Sequence, residues 1–332
     1  MEGCPVLRVL VEEGKVVGVE TPRGRVATSR VVLAAGAWSK TLGDEAGASV
    51  PMVASEHAYI VTDIIPGLGD IPNLRVPEDA IYTKVQNETL FLGAFEANPT
   101  WWEPEPNFAF GLFDLNMEAY LPYLEALSRR LPMLDTVGHK TVICGPESFT
   151  PDGAPLFGET PEVRGLFLNC AMNSRGIQMS GGLGREAAQL LVAGSTSLDL
   201  HNYDIRRFHG QLRRDDAWMR EKTHERHVRT YWPPYPSQQP LAGRGRFVSP
   251  LHSTMADRGA FFSTAGGWER PQFFLAEEGR DMGLKEYDWY GFYGQAAHGD
   301  YRYKEVLEGE VAGWGQADRI GRAVRREMEA CR

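Results

Sequence analysis

The stretch GLFLNCAMNSRGIQMSGGLGREAAQLLVAG, residues 165–194, decides how the rest of the chain is read. Leu166, Phe167 and Leu168 form a short apolar run with the length and content of a buried strand. A polar turn follows at Asn173, Ser174, Arg175 and Gly176. Beyond it Leu183, Ala187, Leu190 and Leu191 recur at three- and four-residue steps, which lays one apolar stripe along a helix. Gly194 stands where a helix C-cap glycine belongs. A strand that turns through small residues into a helix aims the free N–H groups of the first turn past the sheet edge. Those donors and the helix dipole favour negative charge, either a phosphate or a cofactor ring that becomes anionic when reduced. The spacing also suits an ordinary strand–loop–helix crossover of an α/β domain.

A second motif lies inside the first. Gly182-Leu183-Gly184-Arg185-Glu186-Ala187 fits the dinucleotide fingerprint G-x-G-x-x-A, with Asp204 at a ribose-binding distance along the chain. The fingerprint needs its glycines in the tight turn directly after the strand. These fall well past Asn169, inside the helical pattern, so they read as close-packing glycines, and a nicotinamide enzyme is disfavoured.

With 332 residues there is room for two domains, and 42% hydrophobic with 11% aromatic residues suffices for packed cores. A net charge of −9 argues against a nucleic-acid footprint. No apolar run approaches the roughly 20 residues of a membrane span. Cys4, Cys144, Cys170 and Cys331 show no C-x-x-C spacing, which suits free thiols. The first residues carry neither secretion-signal nor transit-peptide character and run straight into strands, as if the chain begins within a domain.

Residues 6–19 read as two strands joined at Glu13-Gly14. At 31–40, VVLAAGAWSK, a buried strand ends in Ala34, Ala35, Gly36 and Ala37, small residues that let a ligand approach the strand's C-terminal end. Strand-like runs at 58–62, 80–84 and 89–92 and a helical pattern at 115–131 predict an antiparallel sheet capped by a helix. After 141–144 returns to that sheet, GPESFTPDGAPLFGE (145–159) reads as a loop. Residues 204–230 are highly charged, with Ile205, Phe208, Leu212 and Trp218 at helical spacing, which predicts a solvated helical face. His224 and His227 on that face read as surface histidines, since no third metal ligand is in reach. Residues 231–240 read as a linker, and the aromatic tail at 241–332 reads as the start of a further domain.

The blocks VVLAAGAWSK (31–40), HAYIVT (57–62), FEANP (95–99), FAFGLFDL (108–115), GPESFTPD (145–152), NSRGIQMSGG (173–182), YDIRRFH (203–209), PLAGR (240–244), GWERP (267–271) and YDWYGFYG (287–294) resemble, in order, the sarcosine and dimethylglycine dehydrogenase family of FAD-dependent oxidoreductases. The resemblance covers the middle of the family's longer chain. The family's N-terminal G-x-G-x-x-G segment and its covalently flavinylated histidine have no counterpart here, and neither does most of its C-terminal folate-binding domain. It implies an α/β, D-amino-acid-oxidase-like FAD-binding fold with an antiparallel substrate sheet. The division would be 1–50 and 146–200 for the FAD-binding domain, 51–145 for the substrate domain, 201–240 for a central helical and linker region, and 241–332 for an incomplete aminomethyltransferase-like start.

By the same resemblance Ala35, Gly36, Ala37 and Trp38 would line the adenosine end of FAD, with Val6 near the adenine. Arg175, Gly176, Ile177 and Gln178 would meet the pyrimidine edge of the flavin through backbone N–H groups. His57 and Phe95 would line the substrate pocket, with Glu96 and Tyr59 as weaker candidates. A neutral His57 imidazole would influence amine protonation. Phe95 stands where relatives tend to carry a tyrosine, which removes a hydroxyl from the pocket. The implied reaction is oxidative demethylation of sarcosine to glycine, the one-carbon unit passing to tetrahydrofolate and the electrons to electron-transfer flavoprotein, in the mitochondrial matrix. Dimethylglycine oxidation and a non-catalytic phosphatase-regulatory role are the alternatives. The expectations are that this portion does not retain FAD unaided, and that the amides at 175–178 face a cleft reaching His57.

Overall fold

The computed structural model describes residues 2–96, 99–105, 108–208, 210–230, 242–274 and 325–330. Two units result, Met1–Trp232 and Pro233–Arg332. The first opens with a meander of β1 (Arg8–Glu12), β2 (Lys15–Thr21) and β3 (Gly24–Ala27), with the turn at Glu13 and Gly14 in left-handed backbone. Then come β4 (Val31–Leu33), a short 3-10 turn at Gly36–Trp38, and α1 (Ser39–Glu45).

An antiparallel sheet follows. It contains β5 (Val53–Thr62), β6 (Leu74–Val76), β7 (Ile81–Gln86), β8 (Thr89–Ala94) and the short β9 (Trp101–Trp102), is covered by α2 (Met117–Arg130), and is closed by β10 (His139–Phe149). Alternation along β5 and β8 sends Ala58, Ile60, Leu90, Leu92 and Ala94 toward α2, where they pack on Tyr120 and Leu127. The opposite face of β5 carries Ser55, His57 and Tyr59. Gly93 is required on that face, because a Cβ there would sit 1.9 Å from Tyr82 Cζ. β10 runs on to Phe149, so the antiparallel sheet extends beyond the expected limit at 145. The GPESF segment is strand, paired with β5 throughout, and the loop begins only at Thr150.

The chain then returns to β4. Strands β11 (Leu156–Glu159) and β12 (Leu166–Cys170) form a hairpin, and β12 pairs in parallel with β4, Leu168 opposite Leu33. Helix α3 (Gly176–Ala193) leaves the end of β12 and stops at Gly194, whose φ of +78° is the left-handed conformation that glycine adopts freely. Of the expected apolar stripe Leu183 is buried while Ala187, Leu190 and Leu191 are half-buried, and the acidic Glu186 is buried beside them. The close-packing reading of Gly182 and Gly184 is not supported among the described residues, since nothing lies within 4 Å of a Cβ placed at either. Ile205, Phe208, Leu212 and Trp218 are all buried, but through short turns at Ile205–Arg207 and Leu212–Arg214 ahead of α4 (Asp216–Val228) rather than along one continuous helix.

The second unit contains α5 (His252–Asp257) and the hairpin of β13 (Ala260–Ala265) and β14 (Trp268–Phe274), where the Arg244 guanidinium forks onto Glu269 at 2.7 Å. The linker at 231–240 and most of the aromatic tail lie outside the described residues. No helix among the described residues is long and apolar enough to cross a membrane.

Candidate functional site

Because β4 and β12 run parallel side by side, the loops after their C-terminal ends emerge together. This is the edge at which open α/β sheets bind cofactors. Ser39 joins the two ends: its hydroxyl accepts the Ala35 N–H at 3.1 Å and interacts with the Cys170 thiol. Burial pushes that thiol up to about 12, and burial raises Cys144 to about 11, so both are inert thiols at neutral pH.

The loop from β12 to α3 is held in a strained shape. Ala171, Asn173 and Ser174 all occupy left-handed backbone, a conformation that costs non-glycine residues on the order of 1–3 kcal/mol each. Buried Asn173 supplies the restraint. Its Oδ1 accepts the Thr150 amide at 2.9 Å and the Thr150 hydroxyl at 3.3 Å, and its Nδ2 donates to Ala171 O at 2.7 Å. The strain delivers Arg175 to the N-cap with no side-chain cap over the first turn. The N–H groups of Gly176, Ile177 and Gln178 therefore point outward without intrahelical partners, and Ile177 is 97% exposed. The Arg175 guanidinium turns back to donate to Gly153 O, leaving the amides uncovered. An uncapped positive helix end beside the small residues Ala35 and Gly36 fits the pyrimidine edge of a flavin, which becomes anionic on reduction. The chain therefore carries residues suited to that part of FAD.

Trp38 donates from Nε1 to Phe108 O at 3.0 Å and stacks on the Phe108 ring, so Ala35–Trp38 is tied to the antiparallel sheet. Val6 is 41% exposed just before β1, a strand that packs beside α1.

His57 lies on β5 opposite Gly145 of β10, with Glu147 two residues on, opposite Ser55. All share one face of the sheet. Ser174 donates to Glu147 Oε1 at 3.2 Å, so a single side chain connects the α3 loop with the His57 face. The histidine is 8% exposed, its ring 4.5 Å from that of Phe95, and its Nδ1 lies 3.7 Å from Glu96 Oε2, an ion-pair rather than a hydrogen-bond distance. Burial opposes charge on this ring, but Glu96 and Glu147 together outweigh it and hold His57 above the ordinary histidine range. The shift runs toward the cation, against the expected neutral imidazole. The expected cleft from the α3 amides to His57 is not seen among the described residues; what connects the two is the Ser174–Glu147 hydrogen bond. Beside Glu96 there is a space of about 20 Å³, bordered by Glu56, Thr100, Asn116 and Cys144. Tyr59 stacks on Phe91 at 5.5 Å, one step along the sheet.

The structure adds a residue that the charge pattern had placed at the surface. His227 of α4 is completely buried, with ring centroids 4.5 Å from Phe149, 5.5 Å from Phe95 and 6.3 Å from His57. Its helix packs against β5, and residues all round it are buried, Trp218, Met219, Thr223 and Val228 among them. Ser55 Oγ, Glu96 Oε2, Glu147 Oε2 and both ring nitrogens of His57 and of His227 are buried without a hydrogen-bond partner among the described residues. Buried polar atoms that the chain leaves unpaired take a partner from outside it, an ordered water or a bound ligand. No group of three possible metal ligands occurs among the described residues. A separate cleft of about 890 Å³, lined by Lys15, Arg30, Glu159, Arg164 and Asp204, borders Gly165 at the opposite end of β12 and mixes both signs of charge.

Comparison with known proteins bears on the family and the fold. The family model for FAD dependent oxidoreductases matches residues 1–190, and that for the FAD dependent oxidoreductase central domain matches 193–249. The chain is 43% identical over 93% of its length to mitochondrial sarcosine dehydrogenase of Homo sapiens. It is 32% identical over 91% to 4-methylaminobutanoate oxidase (formaldehyde-forming) of Paenarthrobacter nicotinovorans. It spans about a third of the length of these relatives, 34% and 35%. Among solved structures, L-proline dehydrogenase from P. horikoshii superposes with a TM-score of 0.54 at 21% identity, covering 61% of this chain and 53% of that one, which shows the fold. The chain belongs to the FAD-dependent oxidoreductase family and carries its D-amino-acid-oxidase-type fold.

Proposed function

We propose that the chain is part of an enzyme that oxidises an N-methyl amino acid of the sarcosine type, demethylating it with FAD as the electron acceptor. The observation that carries this reading is the joining of two half-sites. Uncapped amides at Gly176–Gln178 stand at one end, and the enclosed His57, Phe95 and Glu96 group at the other, with Ser174 and Glu147 between them. FAD, when bound, supplies a two-electron acceptor for a hydride from the N-methyl carbon.

The chain's own residues have three tasks. The amides of Gly176, Ile177 and Gln178, with Ala35–Trp38, bind and orient the cofactor. The rings of Phe95 and Phe149 exclude water around the reacting carbon. His57, whose hold on a proton Glu96 and Glu147 strengthen against burial, disfavours a second cation beside it when protonated. A bound amine therefore sheds its proton, and only the neutral amine, with its lone pair free, releases hydride readily. The cation also suits the substrate carboxylate. Tetrahydrofolate as one-carbon acceptor, electron-transfer flavoprotein as oxidant and a mitochondrial matrix location belong to the same proposal and rest on the sequence resemblance.

The test is anaerobic mixing of the full-length, flavin-containing protein with sarcosine while the flavin absorbance is followed. Bleaching is expected, and it should slow by about 10²- to 10⁴-fold in His57→Ala. A flavin that stays oxidised with sarcosine and with dimethylglycine sinks the reading.

A further inference from the structure

His227 has no task in the reaction as described above. Its ring is 0% exposed, yet neither nitrogen has a hydrogen-bond partner among the described residues. The phenyl rings of Phe95 and Phe149 that wall it offer none. Leaving such atoms unpaired in the interior is costly, so a nitrogen in this position points to a bound group that completes it. The ionisable groups that act on it are His57 on β5, which Glu96 and Glu147 face in turn, and His224 on its own helix. Burial, then repulsion from His57 and His224, keeps His227 well below the ordinary histidine range, hence neutral at physiological pH. A neutral imidazole presents one lone pair and one N–H; a protonated His57 presents no lone pair.

We infer that His227 accepts a hydrogen bond from the N–H of the bound amine and so selects secondary over tertiary N-methyl amino acids. This rests on the amine-oxidation reading above. Hydride leaves from the neutral amine. A neutral secondary amine keeps one N–H, whereas a neutral tertiary amine has none. The tertiary amine places a methyl group against the imidazole and leaves its lone pair buried and unpaired. A site built to bond an N–H rejects the analogue lacking it more strongly than a pocket that only measures size. Phe95, in contact with both histidines, contributes shape and no hydrogen bond, so the discrimination falls to His227.

The experiment compares kcat/KM for sarcosine and for N,N-dimethylglycine in the full-length, flavin-loaded protein. The same two amines are also titrated into dithionite-reduced protein, where no turnover occurs, and Kd is extrapolated to the neutral amine. A preference for the secondary amine of about 10- to 100-fold is expected in both readouts. His227→Phe, which keeps a ring but no acceptor, should bring both ratios to within about threefold of unity. His227→Gln, which restores an acceptor, should recover most of the preference. If the phenylalanine variant does not fold, His227→Met takes its place as a non-accepting substitute of similar bulk. A wild-type protein without the preference, or a ratio unchanged in the non-accepting variant, overturns the inference while amine oxidation stands. Oxidation of neither amine by the wild type overturns both.

Discussion

Helices α3 and α4 exchange the roles their compositions suggest. Helix α3 is rich in apolar and small residues, yet only Leu183 and Glu186 of its 18 residues are buried, and Ile177 and Val192 stand in the open. Helix α4 reads DAWMREKTHERHV, a polar sequence by any measure, yet seven of its 13 residues are buried, among them Lys222, Glu225 and His227. Hydrophobicity therefore failed as a guide to burial in both. A polar helix can go inside when its charges are paired, as Glu225 is with Arg229 at 2.9 Å. Helix α3 packs on β11 and β12 through Leu183 and leaves Ile177 and Val192 exposed. The uncapped amides and the open glycines lie on the same element, and the enclosed histidine lies on the other.

The comparison breaks most sharply at Trp218. It is fully enclosed on the buried side of α4 beside Phe208, so Trp218→Ala should cost about 3–5 kcal/mol in urea unfolding. An effect under about 1 kcal/mol would mean that α4 is not packed as described. Next comes the loop that starts α3. Asn173→Ala leaves the buried Thr150 amide unpaired and removes the side chain that restrains the left-handed turn, for an expected loss of about 1–3 kcal/mol and weaker flavin retention in the full-length protein.

The two histidines should titrate in opposite directions, which NMR of the imidazole protons can read. His57, raised, contributes stability that is full below the unfolded histidine value near 6.5 and fades as pH rises through its folded value. His227, lowered, does the reverse. Its contribution is unimpaired above that value and is lost as pH falls toward its folded value, because the unfolded chain then takes up a proton that the folded one refuses. His227→Phe should remove the acid-side loss and leave the alkaline one. Coincident titrations would dissolve the distinction between the two rings. The smallest effect belongs to α3. Gly182→Ala meets no atom within 4 Å and should stabilise the 332-residue chain by about 0.5–1 kcal/mol through helix propensity. A destabilisation would show that this face is already covered.

Much of the frame was legible in the residues. The hairpin turn at Glu13-Gly14, the strand at Leu166, the C-cap at Gly194 and the strands through Ala58 and Leu90 all follow from periodicity and turn chemistry, which are local. The extension of β10 through Pro146 was not, since proline and glycine there read as a loop until the pairing with β5 absorbs them. His224 and His227 share a sequence context, three apart in one charged helix, and nothing in that context says which enters the core. Glu147 and Asn173 were hidden for a similar reason: their partners, Ser174 and Thr150, are brought to them by strand return.

The order of residues alone determined most of the elements and the strand–turn–helix that opens α3, because an apolar strand followed by a polar glycine turn and a helical period is written in one contiguous stretch. Tertiary structure alone decided the chemistry of the two histidines. The sign of a histidine's shift depends on whether carboxylates or phenyl rings arrive from distant elements. Glu96 reaches His57 from the segment after β8 and Glu147 from β10, while Phe95 and Phe149 close around His227.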